Sequence, residues 1–202
     1  MTLPPEYFAE RWQADEDPWR IADRWYERRK RDLVMAALPR ERFATALEVG
    51  CAAGHLSERL ADRVDDLLAC DVDPTAVGLA GARLSGRAGG EGAVRVQQRR
   101  LPQEWPDGSF ELVVVSEVGY YLGPDDLDGL ARATLGCLAP GGVLIACHWR
   151  HPAEGYPLQA AQVHDRLERD GLAVVAHHQE PDLLLDVWTT GEPSVARAEG
   201  WL

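Results

Sequence analysis

The chain has 202 residues, enough for one domain with a substantial core and short of what two usually need. Hydrophobic residues at 46% and charged residues at 27% are ordinary for a globular protein, and no run approaches the ~20 apolar residues of a membrane span. A net charge of −12 repels polyphosphate and disfavours nucleic-acid binding.

The N-terminus, MTLPPEYFAERW, lacks a basic-then-apolar signal pattern. The four cysteines (Cys51, Cys70, Cys137, Cys147) show no Cys-x-x-Cys spacing and read as reduced, buried thiols of a cytoplasmic protein. The first forty residues look helical, with a turn at Pro18 and a helix from Arg20 to Leu38 on which Ile21, Trp25, Leu33 and Ala37 recur at helical spacing. Arg28, Arg29, Lys30 and Arg31 on that helix read as a solvated face, and Lys30 is the only lysine. Trp12, Trp19 and Trp25 with Tyr26 are more aromatic surface than a terminal helix needs. They suit either a lid over a ligand or a helix packed on the sheet edge.

From Ala44 short apolar runs alternate with helical segments. TALEV precedes a helix from about His55 to Arg63, and DLLAC precedes one from Pro74 to Leu84 with Asp73 as its N-cap. The glycine-rich LSGRAGGEG is a loop, followed by AVRVQ, FELVVVS, a helix from about Pro124 to Leu138, a stop at Pro140-Gly141-Gly142, and GVLIACH. This alternation predicts a doubly wound parallel α/β sheet covered on both faces. After a helix near Leu158–Arg169, the strands GLAVVAHH and DLLLDVWTT are joined too tightly for a crossover and should form an antiparallel hairpin, the last of seven strands. The expected organisation is one domain over 1–202. It comprises a helical N-terminal extension (1–40), a ligand-binding core (44–150), and a helix with the hairpin (151–202).

Ligands of open parallel sheets bind beyond the carboxyl ends of the strands, where strand order reverses. The loop Glu48-Val49-Gly50-Cys51-Ala52-Ala53-Gly54 follows the first strand, and its small residues let backbone N–H groups approach a ligand. Ala52 stands at the second glycine of the dinucleotide pattern Gly-x-Gly-x-x-Gly, which argues against a nicotinamide-dependent oxidoreductase. Asp71, seventeen residues after Gly54 at the end of the second strand, can accept both hydroxyls of a ribose. Glu48 could orient the loop amides, face the positive end of a ligand, or be a satisfied buried acid.

This loop, the acidic end of strand two, FELVVVSEV and LAPGG together resemble the class I S-adenosylmethionine-dependent methyltransferases over roughly residues 44–150. The resemblance implies a Rossmann-like sheet and S-adenosyl-L-methionine as cofactor. Gly50, Cys51, Ala52 and Gly54 would lie around its methionine moiety, Asp71 and Val72 at the ribose, and Arg100 and Leu101 at the adenine. Trp19, Glu48 and Ser116 would complete that end. ADEDPW, WYERRK, VVVSEVGYYL and HWRHP more closely resemble the nodulation-protein-S branch, whose founding members N-methylate an amino sugar. A small-molecule or amino-sugar acceptor is implied, with N-methylation ahead of O-methylation; a non-catalytic cofactor-binding relative is a further alternative. The chain departs from relatives at Arg99-Arg100, where an acidic residue is usual, and at Gly119, which could enlarge the pocket.

Methyl transfer is an in-line displacement needing alignment and exclusion of water, and an amine acceptor must also lose a proton. Glu117 and His148, at the ends of strands four and five, are the candidate catalytic residues: Glu117 to hold an ammonium group, His148 as the base. Tyr26, Tyr120, Tyr121, Trp149, Arg150 and His151 are the candidate acceptor contacts. His164, His177 and His178 read as structural or surface residues, and no residue spacing suggests a metal site. The oligomeric state is not legible.

Overall fold

The computed structural model describes residues 1–87, 93–151 and 154–202. From 88 onward the expected glycine-rich loop lies outside the described residues, as does Pro152. Seven strands form one sheet: β1 (Phe43–Val49), β2 (Val64–Asp71), β3 (Ala93–Gln98), β4 (Phe110–Ser116), β5 (Leu138–Trp149), β6 (Ala173–Gln179) and β7 (Leu183–Thr189). Their order is β3-β2-β1-β4-β5-β7-β6. The first five are parallel, and β7 pairs antiparallel with both β5 and β6. Strand order reverses between β1 and β4, which puts the ligand-binding crevice at the ends of these two strands.

The helices are α1 (Pro5–Ala14), α2 (Trp25–Ala37), α3 (His55–Leu60), α4 (Pro74–Leu84), α5 (Pro124–Cys137), α6 (Ala160–Leu167) and α7 (Val195–Ala198), with a 3-10 turn at Gly119–Tyr121. Period-2 alternation along β4 sends Val113 and Val115 to one face with Leu127 and Leu130 of α5 and Val163 of α6. Leu112 and Val114 point to the other, against Val34 and Met35 of α2 and Leu56 and Leu60 of α3. Both faces of the central strands are therefore covered, as parallel sheets require. All four cysteines are free and buried.

Several expected boundaries move. The second helix starts at Trp25 rather than Arg20, because the Asp17 carboxylate accepts from the N–H groups of Ile21 and Ala22 (2.8 and 2.9 Å) and Arg20 takes a left-handed φ of 57°. Its buried face is Lys30, Arg31, Val34 and Met35, whereas Trp25 is exposed, so the expected apolar stripe is rotated and half of the supposed solvated basic run is inside. The Pro140-Gly141-Gly142 stop is present as a bulge: Phe110 pairs with Leu138, but Leu112 with Val143. Asp73 caps α4 as expected, accepting from Thr75 and Ala76.

Candidate active site

A cavity of about 390 Å³ opens at the carboxyl ends of β1, β2 and β4 and is roofed by α1 and α2. That volume lies within the range of small-molecule pockets. One end is made mostly of backbone. Gly50, Ala52 and Gly54 all take left-handed φ (75°, 47° and 79°), curling the chain after β1. Gly50 and Cys51 N–H donate to the Cys70 carbonyl (2.8 and 2.9 Å), fixing the loop to β2. A Cβ on Gly50 would lie 2.1 Å from Val118 Cγ2, and one on Gly54 3.0 Å from Ala80, so each position needs glycine for space as well as conformation.

Asp71 accepts from the Ala52 N–H (2.9 Å) and the Asp73 N–H (3.0 Å), one bond at each oxygen. A carboxylate has about four acceptor sites, so these two bonds leave it capacity to accept from ligand hydroxyls. Burial raises the Asp71 pKa, against the pull of these backbone bonds. Glu48 is buried at 2% exposure and accepts from the Ser57 hydroxyl of α3. Burial pushes its pKa up to about 8, with the Ser57 bond opposing. Val72, Arg99, Arg100 and Leu101 close this end with Thr2 and Leu3. Arg99 folds back onto Gln97 (2.8 Å) and the Glu104 carbonyl (3.1 Å), and the Arg100 N–H is capped by the Glu104 carboxylate at 2.6 Å.

The other end is built of side chains. Glu117 holds a left-handed φ of 58°, uncommon for a non-glycine residue. One of its oxygens accepts from Lys30 Nζ at 2.9 Å; the other accepts from the Tyr120 hydroxyl and the Trp149 N–H. Lys30 Nζ also meets Glu27 at 2.9 Å, and the Tyr26 ring lies 5.4 Å from it. Burial opposes the Lys30 charge, yet Glu117 and Glu27 together push its pKa up. Burial likewise raises Glu27, although Lys30 pulls it down. Tyr26 and Trp149 pack edge to face at 5.0 Å, completing an aromatic wall.

Of the expected cofactor residues, Trp19, Glu48, Gly50, Cys51, Ala52, Asp71, Val72, Arg100, Leu101 and Ser116 line the cavity; Gly54 shapes the loop from behind. Glu117, Tyr26, Tyr120, Tyr121 and Trp149 line it as well. Three expectations are corrected. His148 is not at the cavity: it is fully buried with both ring nitrogens engaged, by the Gly119 N–H and by His164, and burial drives its pKa well below the imidazole value. It shares the sheet face of Leu144 and Ala146, beneath α6, and cannot reach an acceptor as a base. Arg150 and His151 turn instead to the β6–β7 connection, Arg150 onto the Glu180 carbonyl and His151 onto Asp182 at 2.6 Å. Gly119 does not enlarge the pocket, because its missing side chain would point 2.3 Å from Val163 Cγ1.

Glu27 and Lys30 were not anticipated from the sequence; an acidic residue three before the chain's only lysine was the available signal. The roof, in contrast, uses Trp12, Trp19 and Tyr26 of the aromatic cluster, while Trp25 stays exposed. Phe8 packs edge to face on Tyr121 at 5.2 Å, Trp12 on Trp19 at 5.4 Å, and the Leu3 N–H donates to the Tyr121 carbonyl at 2.9 Å.

A seven-stranded sheet in this order, with a glycine-turned loop after β1 and an acid at the end of β2, defines the Rossmann-like methyltransferase fold. The family model for Nodulation protein S (NodS) matches residues 7–152, and the chain belongs to that family. Nodulation protein S of Rhizobium tropici is 37% identical over 136 residues, 65% of this chain and 55% of its own length. The chain thus spans little more than half of that relative. The crystal structure of N-methyltransferase NodS from Bradyrhizobium japonicum WM9 with S-adenosyl-L-homocysteine is 28% identical, with a TM-score of 0.80, covering 92% of this chain and 97% of that one. A crystal structure of a Pseudomonas syringae protein is 46% identical, with a TM-score of 0.70, covering 82% of this chain and 99% of that one.

Proposed function

We propose that the protein is an S-adenosyl-L-methionine-dependent N-methyltransferase acting on a small amine, with an amino sugar the acceptor class favoured. The observation that carries this reading is the cavity's division into two ends: a backbone loop beside Asp71, and a carboxylate–ammonium–carboxylate cluster under an aromatic wall. At the first end the loop N–H groups and the remaining acceptor capacity of Asp71 suit the polar groups of an adenosyl amino acid, and the left-handed backbone keeps side chains away from it. When bound, S-adenosyl-L-methionine supplies an activated methyl group on a sulfonium.

At the other end Glu27, Lys30 and Glu117 carry a formal charge of −1 together, which favours an acceptor arriving as an ammonium. Tyr26 and Trp149 offer it ring faces and edges. The acceptor must shed a proton before its lone pair is available, and Glu27, raised by burial, is the cavity carboxylate fitted to take it. The N-terminal helices exclude water, so the first forty residues act as a cover on a single domain. No described helix is long and apolar enough to cross a membrane, and a cytoplasmic location is part of this reading.

The test is calorimetry followed by turnover. The protein should bind S-adenosyl-L-homocysteine and not NAD, and Asp71→Ala should weaken that binding by about 1–3 kcal/mol, the loss expected for a charged hydrogen-bond partner. Labelled methyl should pass to glucosamine but not to N-acetylglucosamine, whose nitrogen is an amide. Binding of NAD in preference, or equal labelling of both sugars, would refute the reading.

A further inference from the structure

A buried chain of polar contacts leaves the acceptor end of the cavity for the far edge of the sheet and takes no part in the function proposed above. It begins at the Gly119 N–H, which donates to His148 Nε2 at 3.1 Å. His148 Nδ1 lies 3.0 Å from His164 Nε2, and His164 Nδ1 lies 2.5 Å from Asp186 Oδ2. The other Asp186 oxygen is 2.5 Å from Nδ1 of His177. His148, His164 and Asp186 are buried, whereas the His177 side chain is 59% exposed.

The donor at one end and the acceptor at the other dictate the protons between them. An amide nitrogen only donates, so Nε2 of His148 is the bare ring nitrogen and its proton sits on Nδ1. That proton points at His164 Nε2, which is therefore bare too, leaving the His164 proton on Nδ1 facing Asp186. An ionised carboxylate only accepts, so the last contact is also satisfied. Burial would raise the Asp186 carboxyl, but the bonds from His164 and His177 bring it below its ordinary value. One neutral tautomer at each ring closes the whole chain.

What the chain holds is the turn that carries Tyr120. Gly119 opens the Gly119–Tyr121 turn, and no side chain fits there against Val163 and His148. The Tyr120 hydroxyl donates to Glu117, and the Tyr120 ring lies 5.4 Å from the His148 ring. We propose that His148, His164 and Asp186 are positioning residues for methyl transfer, which fix the Gly119–Tyr121 turn and thereby hold Tyr120 on Glu117. The proposal rests on the function above only for the identity of the acceptor end. None of the three touches the cavity.

The test needs the full chain with S-adenosyl-L-homocysteine and two measurements. Nitrogen-15 spectra of the histidine rings at about pH 7 should show His148 and His164 both carrying the proton on Nδ1, with the Gly119 amide slow to exchange. An Nε2–H tautomer at His148 overturns the proposal. Kinetically, His148→Phe should lower kcat for glucosamine by at least about tenfold, with affinity for S-adenosyl-L-homocysteine kept within about twofold. His148→Gln, which retains an acceptor for Gly119, should recover most of that loss; a merely structural role would instead move stability and leave kcat alone. A folded His148→Phe with unchanged kcat refutes the proposal. If His148→Phe does not fold, the wild-type tautomers decide. If the wild type binds S-adenosyl-L-homocysteine and methylates no amine, the acceptor assignment fails while the ring tautomers still judge the chain.

Discussion

The two ends of the cavity are built on opposite plans. The loop after β1 is shaped by left-handed backbone at Gly50, Ala52 and Gly54 and tied down by bonds to Cys70 and Asp71, all within 22 residues of sequence. The acceptor end gathers Glu27 and Lys30 from α2, Glu117 and Tyr120 after β4, and Trp149 from β5. The first end is a conformation and tolerates no added atoms; the second is a charge balance and tolerates no unpaired group. Perturbing each should therefore fail in a different way.

The largest expected effect is at Gly50. A side chain there must take a left-handed φ, at about 1–2 kcal/mol, and displace Val118, whose Cγ2 is 2.1 Å from the Cβ position. With overpacking of about 1–3 kcal/mol added, Gly50→Val should lose binding of S-adenosyl-L-homocysteine altogether, and Gly50→Ala should lose most of it. Calorimetry on folded variants checks this. Unchanged affinity in either would show that the loop does not shape the ligand site.

Next is Lys30. Its side chain is 7% exposed between Glu27 at 13% and Glu117 at 24%, so Lys30→Met strands two carboxylates in a mostly dry site. Breaking such a pair costs roughly 3 kcal/mol, measured as a fall in unfolding free energy, and a second change, Glu27→Gln, should restore part of it. Binding of S-adenosyl-L-homocysteine should hardly move, since the two ends share no charged contact. If Lys30→Met abolishes that binding as Gly50→Val does, the division into two ends is wrong.

The same contrast explains what the sequence revealed. A glycine-turned loop and an acid at a strand end are local patterns, and Gly50, Cys51, Ala52 and Asp71, named from them, line the cavity. The acceptor end depends on which face of α2 is buried, and a helix starting at Arg20 turns the wrong face inward. The Asp17 carboxylate takes the Ile21 and Ala22 N–H groups and the helix starts at Trp25, so the apolar spacing of Ile21 with Trp25 has no helical meaning and the basic run around Lys30 reads as solvated. His148 failed for another reason. Being at a strand end suggested the cavity, but period-2 alternation sends it with Leu144 and Ala146 beneath α6, while Trp149 reaches the site.

The smallest effect sharpens the comparison from within the backbone-built end, where Glu48 is a buried carboxyl beside Asp71. Its folded pKa of about 8 lies above the ordinary 4.5, chiefly through burial. Below the lower value both folded and unfolded states hold the proton, and there is no effect. Between the two values the folded state holds a proton that the unfolded chain has lost, so stability falls as pH rises, by at most ~1.4 kcal/mol per pH unit, until the folded carboxyl itself ionises. Melts at about pH 6.5 and 7.5 should differ by up to ~1.4 kcal/mol, and Glu48→Gln, which keeps an acceptor for the Ser57 hydroxyl, should remove that difference. A cationic ligand in the loop favours the ionised form, so affinity for S-adenosyl-L-methionine should rise with pH through the same interval and level off once Glu48 is charged. A wild type whose stability is flat there, or a Glu48→Gln variant that keeps the slope, would mean that another group carries the proton and that Glu48 only fastens β1 to α3.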